Sequence, residues 1–222
     1  MPTVQPTEMN LSVLGSRFQQ PIADLIVRLI ARPYEKPDRL GSGHYEGGYS
    51  ASGIILLAAM LESLIQRDRY FHSKSNSGAK ASTKAVEYLK VSLRYRRHGQ
   101  VKEFFEIRNS LAHNHLWEVE YTLPKNGDRQ HKSSTLVPGT HRLSSPPAAG
   151  ARVPRTANVR FNLLPCRIDR TDLLKSLSVC MHLLEFLAKQ GTRPVNLARN
   201  TVVLPKSRPP FSSLVQFLRD AL

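Results

Sequence analysis

Residues 53–65, GIILLAAMLESLI, place apolar side chains on nearly every face of a helix. Such a helix needs cover from several sides, so the stretch predicts the central helix of a bundle. Ser50 or Ser52 is placed to cap its start, and the pattern runs to about Phe71. Glu62 is the one charge inside the run. A buried carboxylate needs a partner. Arg108, on a later helix, can supply one; alternatively Glu62 occupies a gap that faces solvent.

The rest of the chain supplies the covering elements. At 222 residues, with 41% hydrophobic and 22% charged content, it is sized and composed for one domain, 1–222. Residues 1–10 read as frayed. Leu11 to Ala31 is helical in period, and Pro21 predicts a break with a firm helix from Pro21 onward. Ile22, Leu25, Ile26, Leu29 and Ile30 form its stripe. Residues 32–49 read as a loop. A third helix is expected from Thr83 to about Tyr95. Trp117, Val119 and Tyr121 alternate with polar residues, as do Val159, Phe161 and Leu163 in Asn158–Leu164, so both segments predict strands. Asn126-Gly127-Asp128 marks a turn, and 125–156 lacks any period. Asp169 or Thr171 caps a helix to Gln190 that Gly191 stops. Leu173, Leu174, Leu177, Met181, Leu184, Phe186 and Leu187 make its core stripe, and His182 reads as a core or surface residue. Residues 191–211 hold four prolines and read as an extended linker before an amphipathic helix, Phe211–Leu222. The expected architecture is a mainly α bundle of about five principal helices. A small β insertion over 117–165 carries a basic loop, and 191–222 form the linker and last helix.

Charge narrows the function. The net charge is +15 and the pI about 10.3, which favours polyanions and above all nucleic acid. From Arg67 to Arg108 there are 11 Lys/Arg against 4 Asp/Glu, and from Tyr121 to Arg170 there are 9 against 2. Arg94, Arg96, Arg97 and Lys102 precede or open the next helix, where RNA phosphates would be met; cations at a helix end also complement its dipole.

Several classes find no support. Cys166 and Cys180 make no disulfide framework and no zinc-site spacing. GSGHYEGGYS lacks the spacing and the strand-to-helix setting of a phosphate-binding loop, and His44 and Tyr45 within it read as surface residues, with lining a site as the alternative. The N-terminus has no signal-peptide layout. The apolar run Ile54–Leu61 is shorter than the ~20 residues that span a bilayer. A cytosolic protein without cofactor or metal is the expectation.

Val101–Trp117, VKEFFEIRNSLAHNHLW, is the stretch that carries chemistry. With Arg108 set at 0° on a helical wheel, Phe104, Ile107 and Leu111 fall between about 260° and 320°, an ordinary core stripe. Phe105, Ala112 and Leu116 fall between about 40° and 80°, a second apolar face. Arg108 and His115 flank it on one side, Asn109 and His113 on the other. A helix that only covers a core needs one stripe. Two stripes bordered by a guanidinium, an amide and two imidazoles suit a face shared with a partner and an anion.

Arg108-Asn109-Ser110-Leu111-Ala112-His113 resembles the signature of the HEPN superfamily: Arg, a polar residue, a short spacer, then His, on a helix of a small bundle. Two other Arg–His pairs share the spacing. Arg39–His44 runs through glycines and Arg67–His72 ends a helix, so neither has the amphipathic frame. The resemblance covers mainly the helices of residues 50–117. It implies a homodimer with two motif helices face to face, an acidic residue such as Glu62 orienting the Arg, and a ribonuclease in a toxin or host-defence role, with an antitoxin or other regulatory protein as partner.

The residues fit RNA cleavage without metal. Histidine titrates near neutral pH and serves as base or acid. Arginine stays charged and holds phosphate oxygens. Arg108, Asn109, His113, His115 and Glu62 are the candidate catalytic set; Phe105, Ala112 and Leu116 are the candidate dimer interface. The competing reading is a non-catalytic basic helical module that binds nucleic acid or an acidic protein, with Arg108 and His113 structural.

Overall fold

Helix α2, His44–Ser75, is the element on which the others pack. The computed structural model describes residues 6–37, 41–75, 84–112, 117–122, 130–136, 155–190 and 197–222; for 6–16, 71–75, 117–122 and 130–136 it describes the backbone alone. The chain is mainly helical: α1 is Pro6–Ile30, α3 Ala85–Val91, α4 His98–Ala112, α5 Arg170–Lys189 and α6 Leu214–Asp220. Helices α1, α3, α4 and α5 all pack against α2. Ile54, Leu57, Ala58, Leu61 and Ile65 of α2 are fully buried, alongside Ile22 and Ile26 of α1 and Leu173 and Leu177 of α5. Each fully buried Leu or Ile contributes about 1.5–3 kcal/mol. Gly53 sets the closeness of α2 to α5, because a Cβ there would lie 2.8 Å from Leu173 Cδ1. The cover is incomplete, since Ile55 and Tyr70 are exposed. By length and composition alone, His44–Tyr70 would suffice to cross a membrane, and half of its apolar window is buried.

Several boundaries differ from expectation. α2 starts at His44, with Ser50 and Ser52 inside it, because Gly47 N donates to the Gly43 carbonyl at 2.8 Å and the glycine-rich stretch forms the first turn. α1 runs through Pro21 without a break. Pro21 is exposed, so the Arg17 carbonyl that loses its donor can turn to water. α3 ends at Val91, short of Tyr95. Arg94 takes the left-handed conformation (φ 52°), which turns the chain into α4 at a cost of about 1 kcal/mol. α4 ends at Ala112, and residues 113–116 lie outside the described set.

Backbone hydrogen bonds pair Trp117–Thr122 with Gln130–Leu136 in antiparallel register, Trp117 opposite Leu136. The expected strand Asn158–Leu164 is not one. Arg160 is left-handed (φ 64°), and Phe161 to Leu164 are all buried instead of alternating. Side chains take its backbone groups in place of a neighbouring strand, apart from one bridge between Arg155 and Asn162. The Asn126-Gly127-Asp128 turn and most of the expected loop 125–156 lie outside the described residues, as do Thr83 and Gly191.

Asp169 caps α5, accepting from the backbone N–H groups of Thr171 and Asp172. The expected linker is docked where it is described. Gln19 Nε2 donates to the Leu197 carbonyl at 2.6 Å, Val203 N donates to Gln20 Oε1 at 2.8 Å, and Val202 N donates to the Pro209 carbonyl at 2.9 Å. Phe211, Leu214 and Leu218 then bury the face of α6 against α5 and α1.

At the junction of α1, α2, α5 and the C-terminus, the side chain of Arg170 is 1% exposed and that of Glu46 4% exposed. Arg170 Nη2 donates to Glu46 Oε2 at 2.7 Å and Nε lies 3.0 Å from each carboxylate oxygen. The guanidinium also donates to the carbonyls of Leu29 and Ala221. Arg170→Ala strands a buried carboxylate, which costs about 3–5 kcal/mol. Melting followed by circular dichroism should then fall by roughly 6–20 °C. Glu46→Ala combined with Arg170→Ala should cost less than the two single changes added together. Additive losses would show that the two side chains do not act as a pair.

Candidate active site

α4 buries one broad face. Glu103, Phe104, Glu106, Ile107 and Ser110 are all buried, and they span about 160° to 320° on the wheel with Arg108 at 0°. Part of this face is polar. Glu103 accepts from Asn158 N at 2.8 Å, Asn158 Nδ2 at 2.6 Å and Val159 N at 2.7 Å. Ser110 Oγ donates to the Leu163 carbonyl at 2.5 Å. Two side chains seven residues apart, on one face of the helix, thereby fasten 158–163 along α4.

The opposite arc of α4 carries the motif. Arg108, Phe105 and Asn109 are half-buried and Ala112 is exposed. Arg108 Nη2 donates to Glu62 Oε2 at 2.9 Å, the pairing the sequence suggests, with the two side chains 22% and 46% exposed. Glu62 is thus both partner to Arg108 and open to solvent. The Arg108 guanidinium carbon stands 5.6 Å from the centroid of the Phe105 ring, close enough for a cation–π contact. Arg108 Nε is buried without a hydrogen-bond partner among the described residues. His113, His115 and Leu116 lie outside the described residues. The structure therefore brings together Glu62, Arg108, Asn109, Phe105 and Ala112, and the histidines follow directly in the chain.

The expected RNA contacts lie at the other end of the same helix. Arg94, Arg96 and Arg97 are exposed in the turn before α4, and Lys102 is half-buried in its second turn. From Arg97 to Arg108 the helix rises about 16 Å, so the three arginines and the motif lie at opposite ends of α4. The decoy pairs sit elsewhere. Arg67 is buried in α2 beside the equally buried Asp68, which accepts from the Tyr88 hydroxyl at 2.7 Å. Burial, then this hydrogen bond, holds the Tyr88 hydroxyl protonated far above its ordinary range. Arg39 lies outside the described residues. His44 lines a cavity, Tyr45 is exposed beneath the Arg32 guanidinium, and His182 is exposed on α5.

Among the described residues no group of three or more His, Cys, Asp and Glu is placed to hold a metal ion. Sequence reasoning missed the buried polar residues Glu46, Glu103, Arg170 and Asp172. Glu46 and Asp172 are each an acid in the first turn of a helix, but only for Asp172 does the sequence also mark where the helix starts. Asp172 accepts from Asn162 N and Nδ2, and burial raises its carboxyl above the usual range against the pull of Lys175.

The chain matches no protein-family model, no curated protein and no solved structure.

Glu103→Ala removes the acceptor for three donors and should destabilise the protein by on the order of 3 kcal/mol. Amide exchange at Asn158 and Val159 should quicken more than elsewhere. Unchanged exchange there would mean that Glu103 does not hold the segment.

Proposed function

We propose that the protein is a metal-independent endoribonuclease of the HEPN type, its helical bundle carrying a small β insertion between 117 and 165. The observation that carries this reading is the placement of Arg108. It stands on the open arc of α4, tied at 2.9 Å to a carboxylate of the central helix, with Asn109 beside it and His113 five residues on. Glu62 takes one of the five guanidinium protons, which leaves donors for the oxygens of a phosphorane. One histidine, His113 or His115, takes the 2′-hydroxyl proton; a second returns a proton to the departing 5′-oxygen. The 2′-oxygen–phosphorus bond forms as the phosphorus–5′-oxygen bond breaks, leaving a 2′,3′-cyclic phosphate. Asn109 orients the histidine or the phosphate. Arg94, Arg96, Arg97 and Lys102 bind the strand farther along.

One helix supplies few groups, so the site is completed by a second copy across Phe105, Ala112 and Leu116. A toxin or defence role in the cytosol, restrained by an antitoxin or other regulatory protein, follows from the resemblance. The second reading, a basic module that binds nucleic acid or an acidic protein, draws on the engagement of Arg108 by Glu62, which also suits a purely structural arginine.

Purified protein should cut single-stranded RNA but not DNA in EDTA and leave 2′,3′-cyclic ends. Arg108→Ala and His113→Ala should each lower the rate at least 100-fold with the circular dichroism spectrum intact, since removing one transition-state donor costs about 10²–10³. Arg67→Ala and His72→Ala should leave the residual chemistry of any folded fraction unchanged. Loss of cutting in EDTA, or its survival in both motif variants, would sink the mechanism. Absence of RNA cutting under every condition would favour the binding module.

Ala112→Arg tests the dimer more cleanly than a change at Phe105, because Phe105 also packs on its own core. Sedimentation should show monomers. A dimer that persists would place the interface elsewhere.

A further inference from the structure

A cavity of about 290 Å³ lies away from the motif, beside the start of α5. Three segments wall it: 34–37 after α1, 155–167, and the first turns of α5. Among the described residues its lining holds Lys36, Arg155, Arg167 and Lys175 against one acid, Asp169, and Lys175 also pairs with Asp172 outside the lining, so the lining carries a positive surplus.

That acid is already engaged. Asp169 Oδ2 accepts from the Tyr34 hydroxyl at 2.8 Å, and Oδ1 accepts from Thr171 N at 2.9 Å and from the Thr171 hydroxyl. The neutral donors of the wall are committed too. The Tyr34 and Thr171 hydroxyls serve Asp169, and the Asn162 amide serves Asp172 and the Arg167 carbonyl. Two of the cations are anchored by the protein. Arg155 Nε donates to Asn162 Oδ1 at 3.1 Å, and Lys175 Nζ donates to the Arg160 carbonyl at 2.8 Å, with Asp172 Oδ1 at 3.4 Å. An ammonium has three protons and a guanidinium five, so donor capacity remains on both. Crowding like charges in a concavity is unfavourable until an anion enters, and the low-dielectric walls strengthen its attraction.

We infer that this cavity binds a phosphomonoester: a free mononucleotide, or the phosphate at the end of an RNA strand. The dianion matches the surplus charge, and its oxygens suit charge-assisted bonds from Lys and Arg. The volume lies at the low end of ligand sites, about 300–1,000 Å³, which fits a mononucleotide or smaller. The inference rests neither on Arg108 nor on RNA cleavage.

Calorimetry on the full chain tests it with 5′-AMP, adenosine, and two 2′-O-methyl oligonucleotides that resist cleavage, one bearing a 5′-phosphate and one a 5′-hydroxyl. AMP should bind and adenosine should not. Lys36 is exposed, so Lys36→Glu should spare the melting temperature and weaken AMP at least tenfold; Arg155→Ala should also weaken it. Arg108→Ala should leave AMP affinity unchanged, which separates this site from the motif. Tighter binding of the 5′-phosphorylated strand than of AMP assigns the cavity to RNA ends, and equal binding assigns it to free nucleotides. If adenosine binds as well as AMP, or if neither Lys36→Glu nor Arg155→Ala weakens AMP, the inference is overturned.

Discussion

The buried guanidinium of Arg170 fixes how the ends of the helices meet. It gathers the Leu29, Arg32 and Pro33 carbonyls at the end of α1, the Glu46 carboxylate at the start of α2, and the Ala221 carbonyl after α6. Glu46 in turn accepts from Arg170 N at 2.7 Å, at the first residue of α5. Removing two charges from water is costly and is offset only where geometry is good and the remaining donors find partners. Here backbone carbonyls at and beyond the helix ends provide those partners. The Tyr34 ring lies 5.1 Å from the same guanidinium carbon. The path of 33–37, and with it one wall of the cationic cavity, therefore depends on this pair.

A second buried polar set decides which side of α4 stays open. Glu103 and Ser110 commit one face to the 158–163 segment, and Asp172 holds Asn162 from the other side. With that face occupied, Arg108, Asn109 and Ala112 are left on the outer arc. Asp172 also sets a pH dependence. Its folded carboxyl is raised by burial, so the native state binds the proton more tightly than the unfolded chain. Its contribution is therefore full below the ordinary aspartate range and is lost as pH rises through the raised value.

Much of this was legible in the sequence where one physical rule acted alone. The all-round apolar stretch at 53–65 marked the central helix, the Asp169 cap marked the start of α5, and spacing marked the buried face of α6. The failures came where a tertiary contact overrode a local preference. Pro21 did not break α1, because its exposed position lets water take the orphaned carbonyl while Gln19 and Gln20 tie the helix to the C-terminal segment. Asn158–Leu164 alternates like a strand, yet carboxylates and hydroxyls supplied from distant positions satisfy its backbone. Periodicity sorts charges to solvent, so Arg170 and Glu103 could not be placed inside by it; their partners are 124 and 55 residues away.

The same distinction separates Arg108 from Arg170. The Arg170 pair is almost wholly buried and its loss is costly. The Arg108 pair is 22% and 46% exposed, and exposed ion pairs contribute about 0–1 kcal/mol. Glu62 therefore does little for the stability of the bundle. Its effect is directional: it anchors one nitrogen to the rigid central helix, while Phe105 beneath the guanidinium restricts the plane. An arginine held in direction at small energetic cost suits the phosphate contact of the proposed function, since using its other donors would not loosen the core. Arg170, with its donors divided among Glu46 and carbonyls of two segments, does not.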